Sequence, residues 1–256
     1  MTNMRMKIPE IERGKLVELA SQCILSDDGK AAIEYLKSDK RHFDDAFVKM
    51  AIDQFKIGYI PNNVLNVNGH VHEFAGRLIL PVYDAYNELV ALSSRDFRPN
   101  AKVKFFHESF IKRNILYGLN VAKKNIIKHG MTIVVEGEFD VQYLHFKGFN
   151  FTVGVLGSAL GLSDIAMLCR YCREIFIVFD GDLAGSKATK KMIDNSLAKK
   201  INALPYYNIS IIPVYLPEKT DPDDFIHKNG TDSFISLLRK SRKDNEDKIK
   251  EMQSGF

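Results

Sequence analysis

Phe179-Asp180-Gly181-Asp182-Leu183-Ala184-Gly185 is the segment on which the reading of this chain depends. It follows Ile175-Phe176-Ile177-Val178, an apolar run with the composition of a buried strand, and precedes a run of helical character from Ser186 to Leu204. Two carboxylates one residue apart thus sit at the carboxyl end of a strand, where open α/β sheets place ligands. Residues i and i+2 of a regular strand share a face, so Asp180 and Asp182 can share a cation. Hard divalent ions such as Mg²⁺ take carboxylate and water oxygens and are often held by only one or two carboxylates. Taken alone, the segment reads equally well as an Asp-Gly turn that caps a helix.

Outward from this segment the pattern is a regular alternation. Strands are expected at Ile133–Glu136, Thr152–Leu156, Ile175–Phe179 and Ile209–Leu216, with helices at Phe139–Lys147, Ser163–Arg173 and from Ser186. Such alternation implies crossover connections and a mostly parallel sheet flanked by helices, an α/β fold. Upstream, Arg77–Tyr83, Leu89–Leu92 and Lys102–Phe106 read as short strands of a small mixed α+β subdomain. Apolar residues at helical spacing mark Ile11–Leu25, Ala31–Leu36 and Asp44–Phe55. The expected organisation is a helical segment (1–56), the α+β subdomain (57–128), the α/β domain (129–235) and a charged tail (236–256) that frays.

The remaining strand ends carry the same chemistry as the first. Glu136-Gly137-Glu138-Phe139-Asp140 closes one strand and opens a helix, and Asp221-Pro222-Asp223-Asp224 follows the last strand. One acidic turn is ordinary; three at equivalent places can converge on one sheet edge, where their charges repel unless cations intervene. A carboxylate among carboxylates also holds a proton more readily, so Glu136 could serve as ligand or as general base or acid.

The net charge of +4 and pI near 8.8 permit nucleic-acid binding without requiring it. Three cysteines do not make a disulfide framework. Cys169 and Cys172 have metal-like spacing but lie in an apolar helical pattern without a second pair, so they are read as core residues. No apolar run approaches the roughly 18 residues of a membrane span, and a cytoplasmic protein is expected.

These segments resemble the Toprim domain of topoisomerases, primases and some nucleases. Flanking residues narrow the likeness to DnaG-type bacterial and phage primases. Leu156-Gly157-Ser158-Ala159-Leu160 is similar to their Gly-Thr/Ser-Ala-Leu loop, and Leu216-Pro217-Glu218-Lys219-Thr220-Asp221-Pro222-Asp223 to their Leu-Pro-x-Gly-x-Asp-Pro-Asp run. Upstream, Phe55-Lys56-Ile57-Gly58-Tyr59, Arg77-Leu78-Ile79-Leu80-Pro81, Ser94-Arg95, Lys104-Phe105-Phe106-His107 and Leu116-Tyr117-Gly118, with Lys112 four residues before it, resemble family motifs in the family's order.

The resemblance implies a Rossmann-like Toprim sheet and synthesis of RNA primers on single-stranded DNA from NTPs, with two or more Mg²⁺ or Mn²⁺ ions. It implies metal ligation by Glu136, Asp140, Asp180, Asp182, Asp221 and Asp223, and catalysis by Glu136, Asp180, Asp182 and Lys112. It assigns nucleotide or DNA contacts to Arg77, Arg95, Lys104, Lys112, Gly157 and Ser158. The first 45 residues hold one cysteine, Cys23, and one histidine, His42, too few for the four-ligand zinc module of whole primases. No zinc is expected here; that module could come from a separate subunit, and a replicative helicase is a further candidate partner. A Toprim nuclease or topoisomerase relative, and an inactive template- or helicase-binding module, are the competing readings.

Overall fold

The computed structural model describes residues 8–38, 41, 43–62, 71–108, 110, 115–156, 160–181 and 209–254. The chain divides into two compact units, Met1–Ile111 and Lys112–Phe256.

The first unit contains α1 (Glu10–Ile24), a single 3₁₀ turn (Asp27–Gly29), α2 (Lys30–Leu36), α3 (Asp45–Phe55), β1 (Gly58–Ile60), α4 (Val71–Phe74), β2 (Arg77–Tyr83), β3 (Leu89–Asp96) and β4 (Phe105–His107). The Asp44 side chain caps α3, accepting from the Phe47 N–H at 2.8 Å. The four strands form an antiparallel sheet in sequential order. Ile79, Leu92 and Phe106 project from one face, where they pack with Leu16 and Ala20 of α1. Arg13 of α1 is buried there and bonds the fully buried Glu108 carboxylate, Nε to Oε2 at 3.0 Å and Nη2 to Oε1 at 2.6 Å.

The second unit contains α5 (Leu119–His129), β5 (Met131–Val135), α6 (Glu138–Phe146), β6 (Thr152–Gly154), α7 (Leu162–Leu168), β7 (Glu174–Phe179), β8 (Ser210–Tyr215) and α8 (Pro222–Ser254). Its sheet is parallel, ordered β6-β5-β7-β8. Ile133, Val134, Phe176 and Ile177 are buried in its middle. The helix expected from Ser186 lies outside the described residues.

The two compact units meet between residues 111 and 112, where the expected boundaries are at 56 and 128. Three expectations need correction. The N-terminal helices are no separate segment because α1 covers the antiparallel sheet, and α5 goes with the parallel sheet, packing on β5 and β6. Lys102–Lys104 precede β4 rather than belonging to it. The charged tail does not fray into coil: α8 runs to Ser254, interrupted at Gly230, whose φ of 82° and ψ of 165° suit glycine. Arg242 holds the second half of α8 to Glu174 at 2.8 Å, and Asn245 bonds Ser210 at 3.2 Å.

Cys169 and Cys172 are buried, and burial pushes the Cys172 thiol up to about 12. Among the described residues, no helix is long and apolar enough to cross a membrane.

His145 of α6 is also buried. Its Nε2–H donates to the Thr152 carbonyl at 2.9 Å, and burial holds its pKa down to about 4, against an ordinary 6.5. Above pH 6.5 the ring is neutral in folded and unfolded chains alike. As pH falls from 6.5 towards 4, only the unfolded chain gains the proton, so stability falls, by about 3 kcal/mol over the full window. Urea unfolding between pH 7 and 4 should therefore show an acid loss of about this size that His145→Gln lacks. Parallel pH profiles for the two proteins would refute it.

Candidate active site

Each acidic turn grows from a strand end. β5 stops at Val135, and Glu136 and Gly137 lead into α6. Gly137 is extended at the helix N-cap, and a Cβ built there would lie 2.7 Å from Asp140 Oδ2, so the Asp140 side chain folds back over this turn. β7 stops at Phe179, followed by Asp180 and Gly181. β8 stops at Tyr215, and a five-residue connection, Leu216–Thr220, leads to Asp221 and the start of α8.

The strand order makes these three turns neighbours. Val134 of β5 lies opposite Ile177 of β7, and Phe179 of β7 opposite Tyr215 of β8. Glu136, Asp180 and the Asp221 turn therefore leave consecutive strands, each about 5 Å from the next. Two backbone bonds fasten the second turn to the third: Gly181 N–H donates to Thr220 O at 2.8 Å, and Lys219 N–H to Gly181 O at 3.0 Å. Position 181 has no room for a side chain, because a Cβ would strike the Pro217 carbonyl oxygen. The glycine between the two aspartates is thus explained by a close backbone approach.

Asp221, Asp223 and Asp224 place carboxylate oxygens within 4.8 Å of one another. Asp223 is buried, while Asp221 and Asp224 are half-buried. Asp223 Oδ1 accepts from the Asp224 N–H at 2.7 Å. Both helices begin at this edge, and their N-terminal ends favour negative charge. Glu136 Oε1 and Asp180 Oδ1 are withdrawn from solvent. Among the described residues, Asp221, Asp223 and Asp224 form the group within ligand distance of one another, with Glu136 and Asp180 at the ends of the two neighbouring strands; all five are carboxylates, the donor type suited to a hard divalent cation. Like charges so placed and partly shielded from water are stabilised by such an ion. Glu138, 3% exposed, adds a further acid beside the β5 turn. Glu138 and Asp224 were not singled out from sequence; each lies within a recognised acidic run, Glu138 buried and Asp224 half-buried with Lys228 at 3.3 Å.

Asp182, Lys112, Gly157 and Ser158 lie outside the described residues. Arg77, Arg95 and Lys104 belong to the first unit. The strand register does not bring the two arginines onto one face: Arg77 pairs with Asp96, whereas Arg95 pairs with Leu78 and Phe105, and successive residues alternate faces. Arg95 lies 4.5 Å over the Phe105 ring, and Arg77 is buried beside Asp96. Lys104 is exposed just before β4.

A Toprim-domain family model matches residues 130–205. The DNA primase of Rickettsia prowazekii is 35% identical over 204 residues, covering 77% of this chain and 33% of that protein. The chain thus spans about a third of that relative's length. The solved zinc-binding and RNA polymerase domains of Aquifex aeolicus primase share the fold with a TM-score of 0.73 and 26% identity, over 90% of this chain and 60% of that one. A DNA primase domain from Pseudomonas aeruginosa matches with a TM-score of 0.76 and 25% identity, over 90% and 78%. The chain belongs to the DnaG-type primases, in which it matches the Toprim-containing catalytic core.

Proposed function

We propose that this chain is the RNA-polymerising core of a primase, extending short RNA primers on a single-stranded DNA template. The observation that carries the reading is the row of three acidic turns on adjacent strand ends, in a chain whose upstream unit also matches primases. In the reaction, a ribose 3′-hydroxyl attacks the α-phosphate of an NTP and pyrophosphate leaves. Bound Mg²⁺ or Mn²⁺ would lower the pKa of that hydroxyl and screen the triphosphate. Glu136, Asp140, Asp180, Asp182, Asp221 and Asp223 are the residues that would hold these ions. Glu136 would also accept the hydroxyl proton. Arg77, Arg95, Lys104 and Lys112 would take template, primer or nucleotide phosphates, Arg by a planar fork and Lys as a point charge. Gly157 and Ser158 would lie against the nucleotide. A separate zinc-binding subunit or a replicative helicase would complete the machinery, in the cytoplasm of the cell or of a viral host.

The test is labelled-NTP incorporation on a mixed single-stranded DNA template with Mg²⁺ or Mn²⁺, repeated with a chelator. Short RNA that disappears on chelation is expected. Metal-dependent DNA cleavage without RNA synthesis, even from a pre-annealed primer, would replace this reading with a nuclease.

A further inference from the structure

A cleft of about 480 Å³ opens beside the β3–β4 connection, lined in part by Arg77, Asp96, Arg98, Asn100 and Lys102. Three cations thus share it with one carboxylate. Arg77, 9% exposed, donates Nη2 to the Val103 carbonyl at 2.8 Å and stands 3.7 Å from Asp96 Oδ2. Its Nη1 is buried without a hydrogen-bond partner among the described residues. A guanidinium cannot shed its charge to escape that position, so the group favours an incoming anion.

Arg98 is committed elsewhere. Its Nε donates to Asp96 Oδ1 at 2.9 Å, its Nη2 to Asp96 Oδ2 at 2.6 Å, and its Nη1 to Asn62 Oδ1 at 3.0 Å. Each of its three nitrogens thus donates to the protein itself. The Arg98 hydrogen bonds hold the Asp96 carboxyl below the usual carboxylate range, so it is ionised at neutral pH. Two arginines therefore face one buried carboxylate, and only one of them grips it.

We propose that Arg98 is a positioning residue for a phosphate subsite in this cleft: by occupying both oxygens of Asp96, it keeps that carboxylate from closing on Arg77. The Arg77 guanidinium is left to bind a phosphate of a single-stranded nucleic acid. The ligand class rests on the primase reading. Without Arg98, the buried carboxylate faces Arg77 across 3.7 Å, and a desolvated pair of this kind closes to a charge-assisted bond of about 2.8 Å. Arg77 would then be neutralised where it stands.

The experiment titrates a fluorescein-labelled single-stranded DNA oligonucleotide with wild type, Arg98→Ala and Arg98→Ala/Asp96→Asn, reading anisotropy between about 50 and 200 mM salt. Arg98→Ala is expected to bind about tenfold more weakly and to lose roughly one phosphate contact from the salt slope. The double variant should recover to within about threefold of wild type, because an amide cannot trap Arg77 by charge. Both variants lack Arg98, so simple damage to the connection would weaken them equally. Wild-type binding by Arg98→Ala, or a double variant as weak as the single, overturns the proposal. Binding as expected without RNA synthesis retires the primase reading alone. No binding by the wild type even at low salt overturns both.

Discussion

An Asp180→Ala variant should lose RNA synthesis by about a thousandfold or more while melting no lower than the wild type. Asp180 follows the strand that lies between the other two acid-bearing strands. With its carboxylate gone, the strand between Glu136 and the Asp221 turn offers no ligand, which leaves a gap in the set. An Mg²⁺ ion holds its ligands at about 2.1 Å and cannot bridge such a gap unaided. Stability should move the other way, because removing one of several clustered carboxylates relieves their repulsion when no metal is bound. Primer extension and calorimetric melting, each with and without Mg²⁺, check both halves. Activity above about a tenth of wild type would exclude Asp180 from the catalytic set.

The largest stability effect is expected in the other unit. Arg13→Met should cost about 3–5 kcal/mol in urea unfolding at pH 7. Glu108, its side chain fully buried, accepts four hydrogen bonds, two from Arg13 and one each from the Ile8 and Leu92 N–H groups. Removing Arg13 leaves a carboxylate out of water with only two neutral donors. Arg13→Met/Glu108→Gln should recover about half the loss, since the amide no longer carries an unpaired charge. A single variant within 1 kcal/mol of wild type, allowing roughly for experimental error, would mean that water reaches Glu108.

The parallel sheet was legible in the sequence because its strands are short apolar runs closed by Asp and Gly, and all four were recognised within a few residues. The acidic turns were legible for the same reason: a strand end marks its own position. Lateral order was not, because periodicity along a strand says nothing about which strand lies beside it. Only the order β5-β7-β8 makes Glu136, Asp180 and Asp221 neighbours. The Arg13–Glu108 pair has no sequence signal, because each finds its partner 95 residues away. Arg98 and Asp96, two residues apart, were equally silent: the same pair on an exposed loop would bind nothing, and only burial makes it consequential. The tail misled because its charges suggested solvent, whereas Arg242 pairs with Glu174 at the start of β7 and Asn245 bonds Ser210 at the start of β8.

The tie between α1 and the far end of its sheet also bears on time. A chain is made from its N-terminus at about 5–20 residues per second, so Glu108 emerges roughly 5–20 seconds after Arg13. Until then α1 has neither its buried ion partner nor the β3 and β4 side chains that cover Leu16 and Ala20. The nascent helix must wait with its apolar face open to whatever surrounds the ribosome, and the first unit closes late, around a residue near its own end.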